Sequence, residues 1–118
     1  MMYWQSLPPV KESIESAGIW VRDIAQTQCP ELAAEAEQVA RNLVSAAIGR
    51  TPSAAYIYAQ IDITRENLRI EVHHPDRPGS LGGIETAELS SIATSFGASG
   101  GPEGHRMWAA LRRHRAAS

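Results

Sequence analysis

Apolar residues recur along this chain with two different periods. Ile14, Ala17, Gly18, Val21 and Ile24 follow one another at three- and four-residue steps, which describes one face of a helix. Pro30 interrupts that stripe, and Leu32, Ala36, Val39, Ala40, Leu43 and Ala47 begin a second one, closed by Gly49 with Pro52 beyond it. The period then drops to two. Ile57, Ala59, Ile61 and Ile63 point one way, while Tyr56, Tyr58, Gln60 and Asp62 point the other. After a turn at Thr64-Arg65-Glu66-Asn67, Leu68, Ile70 and Val72 resume the alternation with Arg69, Glu71 and His73 outward, so the two segments read as a hairpin.

The ends follow the same logic. Tyr3 to Leu7 makes a short edge strand, stopped by Pro8-Pro9 because proline donates no ladder hydrogen bond. Pro75, Pro78, Gly79 and Gly82-Gly83 punctuate a loop, after which Leu89, Ile92, Ala93 and Phe96 form a third helical stripe. Gly97 to Gly104 holds four glycines and a proline and predicts a turn, with room for one very short strand. Met107, Ala109 and Leu111 alternate as a last strand, and residues 112–118, starting with Arg112-Arg113-His114-Arg115, read as a flexible basic tail. The predicted order is β-α-α-β-β-α-β. Single apolar stripes on the helices and one apolar face on the strands predict an α/β (α+β) two-layer sandwich, a mixed or antiparallel sheet with helices on one face.

Composition narrows the picture. With 118 residues, 43% of them hydrophobic and 20% charged, the chain is the size of one domain with a real core. A net charge of −2 gives no overall pull toward nucleic acid or anionic lipid. Cys29 is the one cysteine, so no internal disulfide forms. It reads as a small apolar residue near a helix end, with no histidine near it in sequence to activate a thiol. No apolar run approaches the roughly 18 residues of a membrane span, and the N-terminus lacks the basic and apolar regions of a signal peptide. A cytoplasmic protein is expected.

Several strings, in order, carry a resemblance. They are Ser13 to Ile24 with its Trp-Val-Arg, Asn42-Leu-Val-Ser-Ala-Ala-Ile48, the strand Leu68 to His74, the Gly83 to Gly97 segment ending in Phe-Gly, and Met107-Trp-Ala-Ala-Leu111. Together they resemble the GHKL (Bergerat-fold) ATPase superfamily, in particular the small anti-sigma-factor/serine-kinase-like proteins common in actinomycetes. The resemblance spans nearly the whole chain and implies a Bergerat-like, histidine-kinase-type ATPase fold. It also implies a nucleotide pocket, and the chemistry of that pocket is missing here. The family's N-box glutamate falls on Asn42, whose amide cannot act as a base. The Mg²⁺-holding asparagine falls on Ala46, which has no oxygen ligand. The adenine-reading aspartate falls on His74, which lacks a second oxygen and the charge. Gly83 keeps the first glycine of the phosphate loop, but the second falls on Glu85, which would repel a triphosphate.

The resemblance therefore implies a vestigial pocket at Asn42, Ala46, His74, Gly83 and Glu85. No catalytic residue, cofactor or metal is expected. The implied protein is a pseudoenzyme that regulates by protein–protein contact, with a sigma factor, an anti-anti-sigma protein, a kinase-like homologue or a second copy of itself as partner. Two alternatives stand beside it. One is an ATP-binding anti-sigma serine kinase with divergent boxes. The other is a small enzyme or ligand-binding module reusing the emptied pocket, lined by His74, Glu85 and Asn42.

The remaining clusters are weaker. His73-His74-Pro75-Asp76 has metal-ligand chemistry, but adjacent strand residues face opposite ways and cannot easily share one ion. Gly79-Ser80-Leu81-Gly82-Gly83 lacks the lysine of a phosphate cradle. The basic run at Arg112 lacks interleaved aromatics, so nucleic acid is not an expected partner. The resemblance, which carries a Trp at the same place, implies packing for Trp108, while Tyr56, Tyr58 and Trp20 are open between a satellite core and an interface.

Overall fold

A computed structural model describes residues 1–49, 55–74, 91–101 and 104–113. The elements are β1 (Met2–Leu7), α1 (Glu12–Gln28), a 3-10 turn (Pro30–Leu32), α2 (Ala33–Ile48), β2 (Ile57–Ile63), β3 (Asn67–His74), β4 (Ser95–Gly101) and β5 (Gly104–Arg112). The strands form a five-stranded sheet in the order β1-β2-β3-β5-β4, and every pairing is antiparallel. Of the two sheet types expected, the antiparallel one is present. The strand starting at Met2 is indeed an edge strand.

Local chemistry sets the helix ends. The Ser13 hydroxyl donates to the Pro8 carbonyl at 2.7 Å, fastening the start of α1 to the break after β1. Cys29 leaves helical geometry at φ −152°, ψ 72°, because Pro30 follows and disfavours a helical residue before it. The Cys29 N–H still donates to the Ala25 carbonyl, closing the last turn. Its thiol is fully buried, and that burial raises its pKa above the ordinary value.

Both helices lie against one face of the sheet. Ala17, Val21 and Ala25 of α1 meet Ala36, Val39, Ala40, Leu43 and Ala47 of α2 in one core with Ile61, Ile70, Val72, Met107 and Ala109 from the strands. Small residues let the helices approach closely, and at Gly18 the approach is tightest. A Cβ there would sit 2.8 Å from Arg41 Nε, whose side chain lies across α1. Arg41 in turn donates to Glu37 at 2.7 Å, and Arg22 reaches the same carboxylate from α1 at 3.3 Å. The two guanidinium groups, Arg41 foremost, hold the Glu37 carboxyl below its ordinary value.

Three expectations need correction. Phe96 does not extend a third helix: helical geometry covers Ser91 and Ile92, and Phe96 lies in β4 opposite Ala109. Leu89 lies outside the described residues. The span from Gly97 is not mainly a turn, because residues 95–101 pair along their whole length with β5. Pairing with a ready-made neighbour supplies what Ser-Phe-Gly-Ala-Ser-Gly-Gly lacks in strand propensity. Finally, Arg112 closes β5, and Arg113 is anchored. Its N–H donates to Glu66 O at 2.8 Å, its guanidinium donates to Thr64 O and Gln28 O at 3.1 Å each, and it lies 3.7 Å from Glu31. Residues 114–118 lie outside the described residues.

Candidate functional site

Two places in the molecule merit attention, and they lie on opposite faces of the sheet. The first holds the described positions singled out by the resemblance, Asn42, Ala46 and His74. Asn42 and Ala46 lie one turn apart on α2; Ala46 is buried and Asn42 half-buried with its Oδ1 shielded from solvent. His74 ends β3 on the helix-facing side, since Leu68, Ile70 and Val72 fix that parity, and it is 4% exposed. Register pairs it with His105 of β5, and the two rings stack at 5.6 Å with an interplanar angle of 19°. Gly83 and Glu85 lie outside the described residues, as does the Gly79 to Gly83 string. His74 is therefore occupied with a ring contact to another imidazole. Among the described residues no group of three or more His, Cys, Asp or Glu side chains is placed to hold a metal ion.

The second place is the face turned away from the helices. Strand parity and register lay its side chains out in rows. One row runs Trp4, Gln60, Glu71, Trp108, Gly97 across β1, β2, β3, β5 and β4; the next runs Ser6, Tyr58, His73, Arg106, Ser99. Trp4 is 66% exposed and Tyr58 44%, with ring centroids 6.1 Å apart. Among the described residues neither helix reaches this face.

At the centre of the face sits Glu71. Alternation correctly turns it away from the core, yet it is only 7% exposed. Arg106 donates to its Oε1 at 3.2 Å and Arg69 Nε lies 3.4 Å from its Oε2. His73 Nε2 is 3.3 Å from Oε1 without hydrogen-bond geometry, so the two arginines carry the pairing. Arg69 also stacks over the Trp108 ring, 4.5 Å from its centroid. That ring lies across Gly97, where a Cβ would come 2.9 Å from Trp108 Cζ2, so glycine is required for the indole to lie flat. Trp108 is thus packed, Trp20 is half-buried against the core, and Tyr56 and Tyr58 are exposed.

What the sequence missed is the depth of Glu71 and the His74–His105 stack. Alternation assigns a face and not a depth. Both features arise from residues of β5 arriving opposite β3, and only the register reveals them. Sequence comparison adds no relative: no protein-family model matches this chain, and no curated protein matches it.

Proposed function

We propose that this protein is a non-catalytic, GHKL-like regulator that acts in the cytoplasm by protein–protein contact, its partner class being a sigma factor, an anti-anti-sigma protein or a kinase-like homologue. The observation that carries the contact reading is the aromatic sheet face that neither helix covers among the described residues, with Trp4 and Tyr58 exposed at its edge. Exposed large aromatics grouped on one surface are the chemistry of an interface, since each contributes contact area at little conformational cost. The partner class comes from the resemblance alone. The same resemblance places an amide at Asn42 and a methyl at Ala46 where a base and a metal ligand would stand, and His74 is stacked on His105.

Two measurements test the reading. Calorimetric titration with Mg-ATP in the low-millimolar range is expected to give no saturable heat. A saturable response favours the divergent kinase instead. Capture from the native host with wild-type protein, compared with Trp4→Ala and Tyr58→Ala, is expected to yield a defined partner that both substitutions weaken. Equal capture by all three would remove the open face from the reading.

A further inference from the structure

We infer that a second copy of this chain joins along the outer edge of β1, the two strands pairing antiparallel so that two five-stranded sheets run on as one. The inference rests on the contact reading above and assigns the contact to a strand edge. Among the described residues β1 pairs with β2 alone, so one side of its backbone has no ladder partner. Edge strands are ordinarily shielded by charges, prolines or bulges. β1 has none of these: Met2-Tyr-Trp-Gln-Ser-Leu7 carries no charge and no proline, and its register with β2 runs one to one. The helices pack inboard of this edge, α1 on β2 and α2 on β2, β3 and β5.

Backbone direction sets the register. The Ile63 N–H donates to the Met1 carbonyl at 2.8 Å, and the Met1 ammonium donates to the Ile63 carbonyl at 2.7 Å. In an antiparallel ladder a residue sends both its backbone groups to one side, and the side alternates along the strand. Met1, Tyr3, Gln5 and Leu7 therefore face β2, while Met2, Trp4 and Ser6 hold their N–H and C=O outward. A two-fold axis normal to the sheet at Trp4 sets Trp4 against its own copy and Met2 against Ser6. Every outward group then finds a partner. Centring the axis on Gln5 would instead set Met2 against Pro8, which has no N–H to give.

The side chains agree with that register. On the open face it joins two Trp4–Tyr58 pairs, each with centroids 6.1 Å apart, into one aromatic cluster across the seam. Trp4 is 66% exposed and Met2 58%, and both gain cover. The opposite edge, β4, has three glycines in seven residues and offers a partner few side chains. A seam of six residues is roughly 20 Å long and one strand deep. That lies at the small end of specific interfaces, so the dimer forms and dissolves with concentration.

Sedimentation of the full chain over a micromolar concentration series is expected to show a monomer–dimer equilibrium. Trp4→Lys, which sets two like charges on the axis, is expected to weaken it by about tenfold or more. Placement is read by mixing Met2→Cys protein with Ser6→Cys protein under mild oxidation. The two positions lie about 13 Å apart along one strand, but directly opposite across the seam, within disulfide reach. Cys29 is buried and does not compete. Disulfides are expected between the two variants and not within either alone. A chain that stays monomeric throughout overturns the inference. So does a dimer that withstands Trp4→Lys, or one whose cysteines fail to join in the mixture, which places the second copy elsewhere. Each of these results leaves the capture experiment above to decide the contact reading separately.

Discussion

The two faces of the sheet are built from the same strands and obey opposite rules. On the covered face, Ile61, Ile70, Val72 and Leu43 are essentially inaccessible, and shape alone holds them. On the open face, a carboxylate is nearly as deeply buried, and charge holds it: Glu71 between Arg69 and Arg106. Burial on the first face follows from the helices. On the second it follows from neighbouring strands folding long side chains over a central acid. The difference teaches that the open face is organised at its centre and unsatisfied at its β1–β2 edge, where Trp4 and Tyr58 stand in solvent.

Substitutions sharpen this contrast. Leu43→Ala on α2 empties space in a close-packed core and is expected to cost about 3 kcal/mol in chemical denaturation. Glu71→Ala leaves two arginines without their acid. Its cost should fall between that of an exposed pair and that of a fully buried one, about 2 kcal/mol, because both guanidinium groups retain solvent. A loss equal to that of Leu43→Ala would erase the distinction between the faces.

The Glu37 cluster between the helices gives a pH test. Its carboxyl is held below the ordinary 4.5, so the folded state binds its proton less readily than the unfolded chain. The stabilisation is complete above that ordinary value and is lost as pH falls through the lower folded value. Glu37→Gln is expected to lower the melting temperature in the neutral region and leave the acid end little changed, so that the acid limb of the profile flattens. The smallest effect is expected for Trp4→Ala and Tyr58→Ala, within about 0.5 kcal/mol, since neither side chain is buried. A large destabilisation by either would show that this edge belongs to the fold and not to a docking surface.

Legibility in the sequence follows the same division. The core face was readable because Ile57 to Ile63 and Leu68 to Val72 repeat strictly every two residues, and α1 and α2 repeat every three to four. β4 was not readable, because Ser95 to Gly101 holds one large apolar side chain, Phe96, and gains its identity from pairing with β5. At the candidate site, the inward turn of His74 was readable from parity. Its stack on His105 and the burial of Glu71 were not, because both depend on which residue of β5 arrives opposite.

One consequence of the indole arrangement is practical. Trp4 stands in water, Trp108 is clamped between Gly97 and Arg69 in the middle of the same surface, and Trp20 is set apart among the helices. The molecule thus carries its own optical reporter. Anything that settles on the surface must dehydrate Trp4, shifting its emission to shorter wavelength without an attached dye, and replacing Trp20 by phenylalanine would isolate that signal.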